Sequence, residues 1–297
     1  MNILISGASG FIGQHLCGYL KRNSHTVFGI ARNIQNQKYF EVDLRNKNSI
    51  DKILLNLNNE KIDVIIHLAA KLMNIYQTEE DHMQVLFDNI LITQNMINLT
   101  KKLKPQKLIN FSSMAVYPNI DGIFDEKSQI KMSENTDCMY GLAKFCTENM
   151  FDFFLKGEKI SVLHLRVAQV YGEGMYQDRI IPVMRKELKE KKTITIFGNG
   201  ERTSDFIDVN KLIKIVGYLI DLPDVCGVYN VSGENLSYLQ LAERIIEEKK
   251  CSNAIIIKKS EGQKTKFRLN TDKLSKQMKG RIKNERKSCE SEEDEFL

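Results

Sequence analysis

Residues 3–13 read ILISGASGFIG, a short apolar run that passes through Gly7, Gly10 and Gly13 into a helical pattern. A buried strand that breaks at a glycine and restarts as a helix points free backbone N–H groups, and the positive end of the helix dipole, at one place. Such a turn is suited to hold a phosphate. In this interpretation Gly7 permits the tight turn, Gly10 lets a pyrophosphate approach the backbone, and Gly13 lets helix and strand pack closely.

The spacing of these glycines is G-x-x-G-x-x-G rather than G-x-G-x-x-G, and three glycines alone are weak evidence for a ligand. An ordinary strand–turn–helix that binds nothing is the alternative for this segment. The rest of the chain has to decide between the two interpretations.

Composition and charge narrow the class of protein. The 297 residues, 42% of them hydrophobic and 27% charged, fit a soluble protein with one large α/β domain or a domain with a smaller lobe. No apolar run approaches the roughly 18 residues that span a bilayer, and no signal-peptide pattern is present, so we expect a cytoplasmic protein without a membrane partner. The six cysteines include no C-x-x-C pair, which favours reduced thiols and no metal site. The net charge of +5 suits an anionic small molecule, and no basic cluster interleaved with aromatic residues indicates nucleic-acid binding.

Strands and helices alternate through the first half, which predicts a parallel sheet with helices on both faces. Strands are predicted there at Ile3–Ser6, Thr26–Ile30, Tyr39–Val42, Asp63–His67, Lys107–Phe111 and Ser161–Leu165. Helices are predicted at Phe11–Lys21, Ser49–Leu57, Met83–Leu103 and Met139–Leu155. Beyond Arg166 we predict helices at Arg179–Lys192, Asp208–Leu219, Ser237–Lys250 and Thr271–Met278, and strands at Thr193–Phe197, Val228–Val231 and Ile255–Lys258.

Three side chains form a candidate catalytic group. Tyr140 and Lys144 stand at i and i+4, which share one face of a helix. A neighbouring ammonium favours the phenolate of a phenol whose pKa is about 10, so the pair can act as acid and base. A surface tyrosine beside a solvated lysine is the alternative. Ser113 follows the fifth predicted strand, where open α/β sheets bind ligands, and its hydroxyl can donate to a substrate oxygen unless Ser112 and Ser113 only cap a loop.

With these residues in order, the chain resembles the extended short-chain dehydrogenase/reductases that act on nucleotide sugars, the NAD-dependent epimerase/dehydratase group. The similarity runs from about Asn2 to Met278. The motifs that carry it are Gly7-Ala8-Ser9-Gly10-Phe11-Ile12-Gly13, Asp43-Leu44, His67-Leu68-Ala69-Ala70, Asn89, Ser113 before Val116-Tyr117, Tyr140 with Lys144, Leu165-Arg166 leading to Val170-Tyr171-Gly172, and Asp205-Phe206 leading to Val209.

The resemblance implies a fold and a domain plan. We expect a doubly wound parallel sheet, the Rossmann fold, over residues 1–166. A smaller substrate-binding lobe is expected over 167–280, with about 204–231 returning to the first domain, and a disordered tail over 281–297. The resemblance also implies a homodimer formed through the helices predicted at Met83–Leu103 and Met139–Leu155, although packing on the sheet explains the apolar residues of these helices equally well.

The resemblance also implies roles for single residues. Tyr140 is the proton donor or acceptor, Lys144 lowers the pKa of that phenol and binds the nicotinamide ribose, and Ser113 polarises the reacting carbonyl. His67 is expected to be a packed strand-end residue rather than a catalyst. The implied cofactor-binding residues are Gly7, Ser9, Gly10, Phe11, Ile12, Gly13, Arg32, Asp43, Leu44, Leu68, Ala69, Ala70, Asn89, Tyr140 and Lys144.

The end of the second strand bears on the cofactor. NAD enzymes of this type place an acid there to bind the adenosine ribose, whereas this chain has Ala31 followed by Arg32. A guanidinium can bind a 2′-phosphate, so we predict NADP(H), with NAD(H) as the alternative. In another interpretation Arg32 only stacks on the adenine or lies in solvent.

The residues after Ser113 bear on the reaction. Dehydratases of the family carry an Asp-Glu pair there, and this chain has Met114-Ala115, which cannot move a proton. We therefore predict NADPH-dependent reduction of a nucleotide-linked keto sugar, a 4-keto-6-deoxy sugar, with Tyr140 as proton donor. The alternatives are an NAD-dependent nucleotide-sugar epimerase and, from another class, a dinucleotide-binding sensor without catalysis.

The predicted substrate site departs from the family pattern at two places. The family has an asparagine near a substrate phosphate shortly before its Tyr-Gly motif, and the nearest polar residue here is Gln169. It also has an arginine directly before the Asp-Phe pair, where this chain has Ser204. Arg202, on the same strand face as Ser204, is predicted to replace that charge; the alternative is a substrate without the usual diphosphate contact. Arg185 and Lys186 are further candidates, or else solvated charges of a helix.

Overall fold

The computed structural model describes residues 1–32, 39–72, 78–131 and 137–279. Its strands are β1 (Asn2–Ser6), β2 (Thr26–Ala31), β3 (Tyr39–Glu41), β4 (Val64–His67), β5 (Lys107–Ser113), β6 (Gly122–Phe124), β7 (Ser161–Val167), β8 (Gln169–Tyr171), β9 (Thr193–Ile196), β10 (Thr203–Asp208), β11 (Gly227–Val231), β12 (Glu234–Ser237), β13 (Ile255–Lys258) and β14 (Phe267–Leu269). Its helices are α1 (Phe11–Arg22), α2 (Ser49–Leu57), α3 (Glu79–Leu103), α4 (Cys138–Phe154), α5 (Ile180–Lys191), α6 (Val209–Ile220) and α7 (Tyr238–Glu248), and a further helix covers 272–279.

Seven strands form one parallel sheet in the order β11-β7-β5-β4-β1-β2-β3. The strand order reverses between β1 and β4, so a crevice opens at their carboxyl ends, where open α/β sheets bind ligands. The prediction of a doubly wound parallel sheet is confirmed.

Side chains alternate between the two faces of the sheet along each strand, and helices cover both faces. Ile3 and Ile5 of β1 pack in the cluster that includes residues of α1 and α6. Leu4 packs in the opposite cluster, with residues of α2, α3 and α4. Strands buried on both faces explain the continuous apolar runs from which the sheet was predicted.

A smaller lobe surrounds a third apolar cluster, built mainly from α5, α7 and β9. Its strands form short sheets, β12-β10-β8 and β13-β9, and β14 pairs with β6. The segment 204–231, which we expected to return to the first domain, is divided between the two parts. Helix α6 packs against α1 and β11 joins the large sheet, whereas β10 pairs with β8 and β12 of the smaller lobe. The tail predicted over 281–297 lies outside the described residues. Within the part of the chain that the structure describes, no helix is long and apolar enough to cross a membrane.

Helix α3 begins one turn earlier than predicted. The Thr78 side chain accepts a hydrogen bond from the Asp81 N–H at 3.3 Å, and the Asp81 carboxylate accepts one from the Thr78 N–H at 2.9 Å. This capping box, together with the acidic residues of the first turn, fixes the start of the helix. The predicted start at Met83 followed the apolar residues and overlooked the polar cap.

Candidate active site

The glycine turn has the geometry that its sequence predicts. Gly7 has a φ of +75°, a conformation that favours glycine, and its N–H donates to the Ile30 carbonyl at 2.9 Å. A Cβ at Gly7 would lie 2.9 Å from the Ala69 nitrogen. A side chain at Gly7 would therefore collide with the segment that follows β4.

Gly13 and Gly10 complete the turn in different ways. A Cβ at Gly13 would lie 2.2 Å from the Gly7 carbonyl oxygen, so only glycine lets α1 approach the turn this closely. Gly10 is the N-cap of α1 and supplies no side-chain hydrogen bond to the helix. The backbone N–H groups of the first turn are thus left without a side-chain cap, which fits the pyrophosphate of a dinucleotide.

Ser6 links the ends of β1 and β4, a role that the sequence analysis missed. Its Oγ lies 2.7 Å from His67 Nδ1 and accepts a hydrogen bond from the Ala69 N–H at 3.3 Å. His67 is buried and packs edge-on against the Phe151 ring. Burial, assisted by the charge of Lys144, lowers the pKa of His67 to about 3. His67 is accordingly a neutral packed residue at neutral pH.

Asn89 braces the segment after β4. Its side-chain amide donates to the Lys71 and Val85 carbonyls, and its oxygen accepts from the Lys71 N–H at 3.0 Å. These bonds hold the backbone next to Ala69 and Ala70, both half-buried. Asn89 therefore acts on the predicted cofactor site through the backbone of Lys71.

Asp43 has a partner on its own loop. Its carboxylate accepts from Arg45 Nε at 3.0 Å and Nη2 at 2.6 Å, and these bonds hold its pKa below the usual range. Arg45 also binds Asp88 of α3 at 3.0 Å. Leu44 is buried, and Arg32 is exposed with a charge that also lowers the pKa of Asp43.

Ser113 and Lys144 lie where β5 meets α4. The Ser113 hydroxyl oxygen accepts from the Ala115 N–H at 3.1 Å and caps a 3-10 turn over Met114–Val116. That bond leaves the hydroxyl hydrogen to donate elsewhere. Lys144 is buried, and its Nζ donates to the Phe111 carbonyl at 2.7 Å. Burial lowers the pKa of Lys144 to about 8, against an opposing effect of Glu148.

The protonation of Tyr140 differs from the sequence-based expectation. Its side chain is half-buried, and desolvation raises the pKa of its phenol above the usual value. Lys144 Nζ lies 5.7 Å from the centre of the Tyr140 ring while it binds Phe111. The cation that lowers the pKa of Tyr140 here is Arg179, at the N-terminus of α5. Arg179 was predicted only as the start of a basic helix.

Gly141 explains how α4 reaches the end of β5. A Cβ at this position would lie 2.0 Å from the Ala115 carbonyl oxygen. Helix α4 therefore touches the 3-10 turn that follows Ser113, which brings the residue beside Tyr140 against that turn. The sequence carried one signal for this contact, a glycine inside a helix, where it lowers helix stability unless it serves packing.

The residues at the two departures from the family pattern, Gln169 and Ser204, are hydrogen-bonded to each other. Gln169 Nε2 donates to Ser204 Oγ at 2.8 Å, across the pairing of β8 with β10. Arg202 lies one residue before β10, where its carbonyl accepts a hydrogen bond from the Tyr238 N–H at 2.9 Å; that it shares a strand face with Ser204 stays a prediction. Its guanidinium lies 5.3 Å from the Tyr238 ring centre, and its buried Nε has no hydrogen-bond partner among the described residues.

Arg185 and Lys186 contact a groove that Ser113 and Tyr140 do not line. They line an open groove of about 960 Å³ between α5, the loop 172–177 and residues 249–253. Arg185 pairs there with Glu248 at 2.9 Å. The groove lining does not include Ser113, Tyr140, Gln169 or Arg202. In the described ranges no group of His, Cys, Asp and Glu side chains is arranged to hold a metal ion.

Comparisons with known proteins agree with this fold and identify the family. The model of the NAD dependent epimerase/dehydratase family matches residues 3–232. The chain is 29% identical over 266 residues to a dTDP-D-glucose 4,6-dehydratase of Dictyostelium discoideum, covering 82% of this chain and 61% of that protein. It is 28% identical over 268 residues to an uncharacterized UDP-glucose epimerase of Bacillus subtilis, covering 82% and 81%.

Solved structures show the same architecture. UDP-glucuronic acid 4-epimerase from Bacillus cereus, in complex with UDP-glucuronic acid and NAD, is 27% identical with a TM-score of 0.78. The match covers 93% of this chain and 92% of that one. UDP-glucose 4-epimerase from Thermotoga maritima, with UDP-glucose, is 20% identical with a TM-score of 0.77 and covers 93% and 92%; at this identity it supports the fold alone.

Proposed function

The chain belongs to the NAD-dependent epimerase/dehydratase family, and from that premise we propose that it is a nucleotide-sugar epimerase that uses NAD. The observation that carries this proposal is the end of β5, where α4 approaches the turn after Ser113 at Gly141, next to Tyr140, and Lys144 binds the Phe111 carbonyl. The 3-10 turn that follows Ser113 consists of Met114, Ala115 and Val116 and contains no acidic side chain.

This turn argues against dehydration. The resemblance places an Asp-Glu pair in the dehydratases of the family directly after the active-site hydroxyl. Met114 and Ala115 cannot donate or accept the protons that loss of water requires. The relatives named as dehydratases therefore support the family, and the side chains here favour hydride transfer without water loss.

The residues present fit a dinucleotide. The uncapped first turn of α1 would hold the pyrophosphate, Asp43 and Leu44 would flank the adenine, and Lys144 would bind the nicotinamide ribose. A bound NAD would supply reversible hydride transfer at a carbon of the sugar. The complexes of solved relatives with NAD support NAD over NADP.

The protein groups would handle the proton. Tyr140 would take the proton of the sugar hydroxyl during oxidation and return it during reduction. Ser113 would donate a hydrogen bond to the same oxygen and stabilise its developing charge. Because burial raises the pKa of Tyr140, its phenol is protonated at neutral pH in the free protein, so we expect the oxidation step to accelerate as pH rises.

A panel of sugars tests the reaction. UDP-glucose, UDP-glucuronic acid and dTDP-glucose are each incubated with the protein and NAD and followed by proton NMR. We expect one of them to give its epimer with no net change in NADH absorbance. A product that has lost water would contradict the proposal.

NADPH-dependent reduction of a keto sugar is the second candidate function, because Arg32 is exposed and Ala31 stands where an acid would repel a 2′-phosphate. Arg32→Ala separates the two. For the NAD enzyme we expect NAD to bind at least about 10-fold more tightly than NADP, a gap of about 1.4 kcal/mol, and the variant to leave NAD affinity unchanged. Titration of both proteins with each cofactor measures the preference. If the wild type prefers NADP and Arg32→Ala abolishes that preference, the result would favour the reductase instead.

We further propose that the protein is a homodimer. Helix α3 exposes an apolar stripe of Met83, Phe87 and Leu91, four residues apart and 40–53% exposed. Phe87→Lys should convert the dimer into a monomer in analytical ultracentrifugation. Leu55→Lys, at an isolated position on α2 that is 81% exposed, should not. A wild-type protein that sediments as a monomer at tens of micromolar would refute this proposal.

A further inference from the structure

A buried ion pair lies directly behind the candidate active site. Glu148 of α4 and Arg166 of β7 are 3% and 4% exposed. Arg166 donates to Glu148 through Nε at 3.0 Å and through Nη2 at 2.7 Å. The Ser112 hydroxyl also donates to the Glu148 carboxylate. Removing two charges from water is costly, and a buried pair is often no more stabilising than apolar residues would be. This one therefore calls for an explanation other than stability.

The position of the pair supplies that explanation. Ser112 stands between Phe111, whose carbonyl accepts the Lys144 ammonium, and Ser113 at the crevice. Glu148 follows Lys144 by one turn on α4. The bond from Ser112 to Glu148 therefore ties α4 to β5 beside the two strand positions that the active site uses.

Arg166 anchors this contact to the rest of the sheet. Its Nη1 donates to the Tyr117 hydroxyl at 2.9 Å, and that hydroxyl donates to Asn230 Oδ1 at 2.8 Å. Arg166 also lies over the Tyr117 ring, 5.0 Å from its centre. The carboxylate of Glu148 is thus held from β5 through Ser112 and from β7 through Arg166, and Tyr117 holds Arg166 in turn.

Among the residues that the structure describes, few charged or titratable groups surround Lys144. On its own helix are Tyr140 and Glu148, at the end of β4 is neutral His67, and from β7 comes Arg166, bound to Glu148. The buried acid of the neighbouring helix α3, Asp88, is paired with Arg45. The Glu148 carboxylate is therefore the anion that favours the charged form of Lys144.

We propose that Glu148, held by Arg166 and Ser112, is a positioning residue that fixes Lys144 behind Tyr140 and keeps its ammonium charged. This inference depends on the proposed function only in treating Lys144 as a working residue. The role of the buried pair is then to set the proton affinity of the Lys144 amine rather than to stabilise the fold.

The test is a direct titration of Lys144. Protein labelled with ¹³C at lysine Cε is titrated by NMR, and the Lys144 signal is assigned by its loss in Lys144→Met. In the wild type we expect a midpoint near 8. Glu148→Gln keeps the shape and removes the charge, so the midpoint should fall by roughly 1 pH unit. The rise of kcat/KM with pH should level off at a lower pH in this variant, because Lys144 then loses its proton earlier.

Two controls separate charge from packing. Ser112→Ala removes a hydrogen bond to the same carboxylate and keeps the charge, so the Lys144 midpoint should stay within about 0.3 pH units. Asp205→Asn removes a buried carboxylate of β10 that binds Ser232 and Asn235, and it should also leave the midpoint in place. A Lys144 midpoint that does not fall in Glu148→Gln would overturn the proposal.

A second variant covers the case in which Glu148→Gln does not fold. Glu148→Gln combined with Arg166→Met removes both charges and leaves no unpaired cation. The Lys144 midpoint should still fall, by less than in the single variant, and an unchanged midpoint here would also overturn the proposal. If the midpoint falls but no sugar of the panel reacts, only the proposed function fails. If a sugar is epimerised and the midpoint is unmoved, only this proposal fails.

Discussion

Tyr140→Phe should lower kcat about 10²- to 10⁴-fold while the protein stays folded, because the substitution deletes one hydroxyl and the proton transfer that it performs. The phenyl ring keeps the packing of the half-buried side chain. We expect NAD affinity to change less than about 3-fold, since the pyrophosphate site at α1 is untouched. Steady-state rates with the reactive sugar of the panel and cofactor titration measure the two effects.

Tyr176→Phe is the matched control for this loss. Tyr176 is 50% exposed in the loop before α5, and removal of its hydroxyl should leave kcat within about 2-fold. Wild-type turnover in Tyr140→Phe would remove Tyr140 from the mechanism. Retention of all cellular function by that variant would favour a dinucleotide sensor.

Gly13→Ala should destabilise the protein by about 1–3 kcal/mol and weaken NAD binding more than 10-fold. The added Cβ would lie 2.2 Å from the Gly7 carbonyl oxygen and 2.9 Å from Ala8 Cα, so helix and turn must separate. Separation moves the N–H groups that would hold the pyrophosphate. Thermal unfolding and cofactor titration measure both effects.

Gly18→Ala provides the comparison on the same helix. A Cβ at Gly18 would meet only the end of the Arg22 side chain, at 3.4 Å. Alanine is favoured over glycine inside a helix by about 1 kcal/mol, so this variant should be as stable as the wild type or more so. Equal behaviour of Gly13→Ala and Gly18→Ala would show that the close approach at Gly13 is not needed.

The large sheet could be predicted because its central strands β1, β4 and β5 are buried along most of their length and consist largely of apolar residues. The short strands β6, β8, β12 and β14 were not predicted, because each of these segments holds at most two apolar residues and shows no clear strand pattern. The start of α3 was recoverable from Thr78 and Asp81, a polar cap three residues apart.

The sequence predicted the motifs of the candidate site but not the contacts and charges around them. Sequence spacing placed Tyr140 and Lys144 on one helix face, yet it could not show that Lys144 binds the Phe111 carbonyl or that Arg179 acts on the phenol. Glu148 and Arg166 lie 18 residues apart on different elements. Such contacts depend on the tertiary fold, and a single sequence does not encode them as a local pattern.

The most direct test of hydride transfer and return uses a nucleotide sugar of the panel deuterated at the carbon that is epimerised. We expect the epimer to retain the deuterium at that carbon, with no solvent proton incorporated and no net change in absorbance at 340 nm, which is the signature of a hydride removed and returned within one active site. Exchange of the deuterium with solvent, or stoichiometric consumption of reduced cofactor, would contradict the proposed epimerase mechanism.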